Sequence, residues 1–372
     1  MGKMILVTGG AGFIGSHLVD GLVKKGHDVR VLDNLEHQVH GGRVPDYINK
    51  NAEYMYGDVR DEDVLKNALE DVEVVFHEAA AVGVGQSMYQ IKKYSDVNVM
   101  GTAKLLDVIV NGKFPIKKMV VASSMSIYGE GKYKCENCGV VYPRLRPKRQ
   151  LEKKDWDIRC PNCDRSVAAL PTDESKPLYP TSVYAVTKRD QEELFLSVGR
   201  AYGIPSVALR YFNVYGPRQS LGNPYTGVAA IFSSRIKNNK PPIIFEDGLQ
   251  TRDFVSVNDI VQANILVMEN NRANYEAFNV GSGSPVSIKQ IAETLAKLYK
   301  RTVRPDITNK FREGDIRHCF ADITKIKKIG FEPRVSFDEG MKNLAQWGTG
   351  IQVKDTTQKA IDELKKRRLM EN

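Results

Sequence analysis

No stretch of this 372-residue chain approaches the ~18 consecutive apolar residues of a membrane-spanning helix, so no span is expected. The opening MGKMILVTGG has no apolar h-region and no cleavage site, and it lacks the Ser or Thr of a myristoylation signal. A cytoplasmic enzyme is therefore expected. Cysteine is scarce, at five, and a cytoplasmic setting leaves little place for disulfides. No internal repeat is visible. The bulk composition is ordinary for a globular protein, with 42% hydrophobic and 27% charged residues and length for two or so domains. A formal charge of +9 raises the question of nucleic acid until the charge is located. Residues 132–170 carry ten Lys/Arg against five Asp/Glu, so one segment supplies +5 and the remaining chain +4. That distribution reads as a solvated basic face, or as a basic rim for an anionic ligand, and no nucleic-acid partner is expected.

The first half alternates strand and helix signals. KMILVT (3–8), DVRVLD (28–33), AEYMYGD (52–58), VEVVFHEA (72–79) and KKMVVASS (117–124) are short, β-branched and apolar. Helical patterns lie between them, at 15–26 and 98–111, and a further helix at 184–202 and strand at 206–212 continue the series. Near-continuous apolar strands alternating with helices predict a parallel sheet covered on both faces. After about 213 the regularity breaks, apart from a helix near 287–299, and a second, smaller domain is expected. The tail KAIDELKKRRLMEN reads as a charged, solvated terminal helix without a function.

VTGGAGFIG (7–15) follows the first strand and opens a helix, so Gly9 or Gly10, Gly12 and Gly15 fit a phosphate-binding turn. Such a turn needs positive φ, close approach of the backbone to a pyrophosphate, and free N–H groups at a helix N-terminus. Asp33 ends the next strand, 18 residues beyond Gly15, where a carboxylate accepts from a ribose 2′-hydroxyl and repels a 2′-phosphate. NAD is favoured over NADP. In GDVRD (57–61), Asp58 is placed to meet the adenine amino group. SVYAVTK (182–188) puts Tyr184 and Lys188 on one helical face. A phenol of pKa about 10 is a poor base at neutral pH, and an adjacent ammonium with a cationic nicotinamide favours its phenolate. ASSMSIYG (122–129) offers Ser124 as a hydroxyl to orient the reacting oxygen.

These motifs together resemble an extended short-chain dehydrogenase/reductase of the branch that acts on nucleotide sugars, from about residue 4 to 345 outside one insertion. The resemblance implies an α/β fold: a Rossmann doubly wound parallel sheet (1–131 and 171–212), a smaller C-terminal substrate domain (mainly 213–346), a zinc-ribbon-like insertion (132–170) and a charged tail (347–372). It implies that Gly9, Gly12, Phe13, Ile14, Gly15, Asp33, Asn34, Asp58, Val59, Ala79, Ala80 and Asn98 line NAD beside Tyr184 and Lys188. Ser124, Tyr184 and Lys188 are then the catalytic triad. In RYFNVYGPRQ (210–219), DGLQTRDFV (247–255) and REGDIRHCFAD (312–322), Asn213, Arg218, Arg252 and Asp315 face the nucleotide-diphosphate sugar, with Ser124 and Ser126. Independently of any family, a diphosphate calls for guanidinium forks. The resemblance also implies a homodimer through two long helices, one of them bearing Tyr184.

Dehydratases of this branch carry Asp-Glu directly after the hydroxyl residue, and its decarboxylases keep the Glu. Here Met125 and Ser126 stand there, and neither can protonate a leaving hydroxyl or take a proton from C5. The expectation is a 4-epimerase working through a transient 4-keto sugar. The pattern most resembles the group of dTDP-L-rhamnose 4-epimerases, and UDP-glucose and UDP-N-acetylglucosamine epimerases share much of it. Cys319 stands where related epimerases are thought to admit or exclude an N-acetyl group, although a buried thiol packing as a small hydrophobe explains it equally. Two rivals stay open: a net NAD-dependent nucleotide-sugar oxidoreductase, and a zinc-ribbon nucleic-acid binder on a degenerate scaffold. The latter sits poorly with the Tyr184/Lys188 pair and with few aromatics in the insertion.

KCENCG (134–139) and RCPNCD (159–164) remain. Cys135, Cys138, Cys160 and Cys163 have the makings of a closed tetrathiolate zinc site, which has no open position for substrate and is structural. An insertion leaving after the serine strand and returning before Tyr184 is expected to overhang the sugar pocket or to make a dimer contact.

Overall fold

The computed structural model describes residues 3–370, so the first two residues of the N-terminal reading and the last two of the tail lie outside it. Its centre is a seven-stranded sheet among the described residues, made of β1 (Met4–Thr8), β2 (Asp28–Asp33), β3 (Glu53–Tyr56), β4 (Val74–His77), β5 (Lys118–Ser124), β6 (Ser206–Tyr211) and β7 (Glu276–Val280). The spatial order is β3-β2-β1-β4-β5-β6-β7, and every pairing is parallel. Strands β4 and β6 are buried along their whole length, polar His77, Ser206 and Arg210 included, which is why they read as near-continuous apolar runs. One face is covered by the helices Phe13–Lys24 and Val257–Glu269, the other by Gly101–Asn111 and Val183–Tyr202, giving two apolar cores. The order reverses between β1 and β4, so the connections leave in opposite directions there and open a crevice at the carboxyl ends of the strands.

Local chemistry sets the elements that matter for the crevice. The helix Val183–Tyr202 starts where the Ser182 hydroxyl accepts from the Ala185 N–H and stops at Gly203 in the left-handed region, φ 69°. The expected helix over 98–111 begins earlier than its periodicity suggests. A widened π turn, Ser95–Met100, precedes the α-helix Gly101–Asn111 and brings Asn98 fully inside.

After 213 a small sheet joins Asn213–Tyr215, Thr251–Ser256, Pro285–Ser287 and His318–Cys319, packed on the helices Val228–Lys237, Ile288–Leu298 and Phe337–Thr349. The division at 213 is not clean, because Val257–Glu269 and β7 return to the main sheet. The insertion forms a three-stranded antiparallel sheet, Lys132–Cys135, Gly139–Val141 and Ala168–Leu170, with a short helix Lys148–Glu152. The C-terminal helix corrects the sequence reading. Thr357–Lys366 is docked, not solvated: Ala360, Ile361 and Leu364 are buried, the latter two against Tyr89, Ile243, Phe245 and Met370. The charges dominate its composition, but these three side chains share one stripe. Among the described residues no helix is long and apolar enough to cross a membrane.

One buried ion pair ties the serine strand to the tyrosine helix. Arg210 on β6 donates to the Glu192 carboxylate through Nε at 3.1 and 3.0 Å and to the Tyr128 hydroxyl through Nη1 at 2.7 Å. Ser123 on β5 donates to the same carboxylate at 2.7 Å. Glu192→Ala strands Arg210 in the interior and is expected to cost about 3–5 kcal/mol. A urea midpoint unchanged from wild type would show that the pair carries no such weight.

Candidate active site

A cleft of about 660 Å³ runs along the carboxyl ends of the sheet, from the glycine turn past Ser124, Tyr184 and Lys188 to Arg252, Arg312 and Asp315. At its first end the turn after β1 is set by two glycines. Gly9 has φ 71° and donates to the Leu32 carbonyl at 2.8 Å, and a Cβ there would meet the Ala79 nitrogen at 2.8 Å. A Cβ on Gly15 would lie 2.2 Å from the Gly9 carbonyl oxygen. These residues leave the helix N-terminus at Phe13 open to the cleft, a cradle that fits the pyrophosphate of NAD. Gly12, Ile14, Val59, Ala79 and Ala80 line the same end. Asp33 lines it too, and already accepts from the N–H groups of Ala11 (3.0 Å) and Leu35 (2.9 Å), which aim its carboxylate. Asp58 accepts from Arg60 at 2.8 and 2.7 Å and from Asn34 at 2.9 Å. The Arg60 hydrogen bonds hold its carboxyl at about 2, so it is a fixed anion beside the cleft.

Asn98 departs from expectation. Its Oδ1 accepts from the Ala81 N–H at 2.7 Å, and its Nδ2 donates to the Ala81 carbonyl (3.1 Å) and to Thr187 Oγ1 (3.0 Å). It is not among the cleft-lining residues. It clips the loop after β4 to the tyrosine helix, so it shapes the cleft wall from behind.

At the centre, Ser124 Oγ accepts from Ser126 N–H (3.2 Å) and Oγ–H (2.9 Å), and both serines line the cleft. Tyr184 sits across, its ring edge-on to Tyr94 at 6.4 Å. Burial pushes its phenol up to about 12, with the Ser124 hydroxyl acting the other way. The expected lowering by Lys188 is therefore not a property of the folded chain alone. Lys188 donates to the Ala122 carbonyl at 2.8 Å, and burial moves its ammonium below the usual lysine value while Glu78 opposes that shift. Met125 is buried and no carboxyl stands at 125 or 126.

Glu78 joins the site without having been expected there; its one sequence signal is an acid directly after the apolar strand β4. It lines the cleft, accepts from the Tyr211 hydroxyl at 2.7 Å, and is raised above the carboxylate range by loss of water. Tyr211 in turn accepts from Asn264 at 2.7 Å.

At the far end Arg252 and Arg312 line the cleft with Asp315. Arg252 is braced by the carbonyls of Thr251 (2.8 Å), Arg317 (3.0 Å) and Ile316 (2.6 Å). Arg312, in the same REGDIRHCFAD segment as Asp315, donates to Asp315 at 2.8 Å and lies 4.7 Å over the Phe245 ring. Asn213 lines the cleft, and its buried Oδ1 has no partner among the described residues. Gln219 and Gln250 each present a similar unpartnered oxygen there. Such orphans fit a polar ligand.

Two more of the expected residues are not among those lining the cleft. Arg218, at φ 66°, turns away from the cleft to pair with Asp20 at 2.8 Å over the Tyr47 ring. Cys319 is 1% exposed, lies 3.8 Å from Thr172 Oγ1 and does not reach the cleft; it packs as a small hydrophobe. The insertion does not overhang the pocket either, since none of residues 132–170 lines it. The Sγ atoms of Cys135, Cys138, Cys160 and Cys163 lie within 4.8 Å of one another, away from this chemistry.

The family model described as NAD dependent epimerase/dehydratase family matches residues 5–147 and 164–281. The chain belongs to that family. The break in the match falls within the insertion, and the docked C-terminal helix lies beyond it. A dTDP-L-rhamnose 4-epimerase of Burkholderia thailandensis is 36% identical over 352 residues, 93% of this chain and 95% of that protein. A putative UDP-glucose 4-epimerase of Methanocaldococcus jannaschii is 37% identical over 92% of this chain and 98% of its own length. The UDP-glucuronic acid 4-epimerase of Bacillus cereus, solved with UDP-glucuronic acid and NAD, superposes with a TM-score of 0.77 at 27% identity, covering 93% of this chain and 99% of that one.

The desolvated Glu78 carboxyl makes stability pH-dependent in a defined sense. Folding raises the Glu78 carboxyl above its ordinary 4.5, so the folded chain holds that proton longer and loses stability as pH rises through the interval. Glu78→Gln removes this loss. The variant's melting temperature relative to wild type is expected to climb between about pH 5 and pH 8. A difference that stays flat across that range would disprove the assignment.

Proposed function

We propose that the protein is a 4-epimerase of a nucleotide-diphosphate sugar that retains its NAD, with dTDP-L-rhamnose as the first substrate to try. The observation that carries the reading is the meeting of Ser124, Tyr184 and Lys188 in one cleft with Arg252 and Arg312, where the dehydratase acids are replaced by Met125 and Ser126. The glycine turn, Asp33 and the Ala79–Ala80 segment would hold NAD, which would supply a reversible hydride acceptor, so that hydride taken from one face of C4 and returned to the other would invert the centre with no net redox change.

The chain's own groups do the rest. Tyr184 takes the proton of the 4-hydroxyl and later gives it back. Ser124, oriented by Ser126, holds that oxygen in line. Burial holds the phenol high in the folded chain alone, and a bound cationic nicotinamide would oppose that shift and so would tie deprotonation to a loaded cleft. Arg252 and Arg312 anchor the diphosphate while the 4-keto sugar turns about its linkage. Asp315 is placed for the nucleotide ribose. The four thiols of the insertion hold one structural zinc. A homodimer is supported by Met88, Ile91 and Val186, exposed around a shallow depression beside the tyrosine helix.

The test is NMR of the pure protein, without added cofactor, against dTDP-L-rhamnose, UDP-glucose, UDP-galactose and UDP-N-acetylglucosamine. Conversion of one to its C4 epimer without solvent deuterium at C4 supports the reading. Consumption of free NAD without epimerisation replaces it with a net oxidoreductase. Tyr184→Phe is expected to lose at least about 100-fold in kcat, and near-normal turnover by it would end the proton-transfer role.

A further inference from the structure

The insertion touches the cleft indirectly, through one guanidinium. Arg146 is 7% exposed. Its Nη1 and Nη2 donate in parallel to Glu246 Oε2 (2.9 Å) and Oε1 (2.8 Å). Nη1 also donates to the Trp156 carbonyl (2.9 Å) and Nη2 to the Asp315 carbonyl (3.1 Å). One side chain thus joins two parts of the insertion to the turn after Phe245 and to the turn that carries Arg312 and Asp315. Arg317 closes the other side, donating to Glu246 at 3.1 Å and to Asp247 at 2.6 and 2.8 Å, and pairing with Asp157 of the insertion at 3.4 Å. Leu151 and Trp156 cover Phe311 beneath. Glu246 is held at φ 54°, a left-handed backbone that only its surroundings can enforce in a residue with a Cβ.

Phe245, Glu246, Arg312 and Asp315 all line the nucleotide end of the cleft. Their placement therefore depends on where Arg146 is, and Arg146 depends on the insertion. That segment's own core is small: Tyr133, Val141, Ile158 and the Cys135 and Cys160 thiols with Val167 and Ala169 packed on them, while Leu151 and Trp156 are buried against Phe311 instead. A core so small does not order ~40 residues by itself. Tetrahedral zinc with thiolates at about 2.3 Å sets sulfurs roughly 3.8 Å apart. The four Sγ atoms lie within 4.8 Å, with Cys135 and Cys163 at 3.6 Å, so the cluster needs little movement to close on a metal whose binding is folding energy.

We propose that zinc held by Cys135, Cys138, Cys160 and Cys163 fixes Arg146 against Glu246 and the Asp315 carbonyl, and that metal occupancy thereby sets affinity for the nucleotide diphosphate without entering the chemistry. This rests on the epimerase reading for the sugar and on the zinc reading for the insertion. Arg146 is a positioning residue, and its signature is a change in KM with kcat preserved.

The experiment uses the full chain. Zinc is measured by emission spectroscopy, UDP and dTDP binding by calorimetry, and KM and kcat with whichever sugar nucleotide turns over. Wild type is expected to hold one zinc per chain. Arg146→Met should keep zinc and NAD, bind the nucleotide about tenfold more weakly, and hold kcat within about twofold. Removing zinc from wild type should give a similar loss, and removing it from Arg146→Met should add nothing. Nucleotide affinity equal to wild type in Arg146→Met overturns the proposal. So do losses that multiply, or a wild-type protein without zinc. Should the metal-free chain unfold, Arg146→Lys decides: it keeps the charge but not the fork, and an intermediate affinity supports the link while wild-type affinity refutes it. A wild type that binds nucleotide yet epimerises no sugar ends the epimerase reading, and the calorimetric arm still judges this one.

Discussion

Every strand of the central sheet runs in the same direction, and the site exists because of that constraint. Parallel pairing sends each connection back over a face of the sheet and leaves all carboxyl ends at one edge. The order turns around between β1 and β4, so the loops there part. The glycine turn after β1, Asp33 after β2, Glu78 after β4, Ser124 at the end of β5 and Asn213 after β6 come from distant parts of the chain and face one crevice. The chain after residue 213 adds the arginines on the far bank, and the C-terminal helix lays Ile361 and Leu364 along the rim.

Within that crevice, burial outweighs charge pairing. It raises Tyr184 and Glu78 and lowers Lys188, so each group is pushed towards its neutral form. A site poised in this way responds strongly to a charged ligand, because little water remains to screen it. The same physics makes the Glu192–Arg210 pair behind the sheet a device of position more than of stability. It holds β5, β6 and the tyrosine helix in register while contributing less net free energy than its geometry suggests.

The match to the epimerase/dehydratase family breaks within the four-cysteine segment, which lies outside the cleft, yet that segment is joined by the Arg146–Glu246 fork and the Asp157–Arg317 pair to the end of the cleft lined by Arg312 and Asp315. Position outside a pocket is therefore a poor guide to influence on it. A turn such as that around Glu246, strained and buried, takes its shape from whatever braces it.

Much of this was legible in the chain itself. Near-continuous apolar runs announced β1, β4, β5 and β6, because a strand buried on both faces has few polar side chains to show. The glycine turn and the four-residue spacing of Tyr184 and Lys188 are local chemistry, written in adjacent residues. Other features had no local signature. Asn98 and Arg218 belong to recognisable motifs, but a π turn took the first inside and a left-handed backbone at the second aimed it at Asp20. Cys319 was placed by the pairing of its strand with Thr251–Ser256, and the last helix by an apolar stripe among charges. The sequence by itself determined most of the elements, the glycine turn and the Tyr184/Lys188 spacing, since these follow from period, steric freedom and chemical type over a few neighbouring residues. Which side chains meet, which turn away, and what braces the nucleotide end were decided only by tertiary packing, because those contacts join residues tens to hundreds of positions apart.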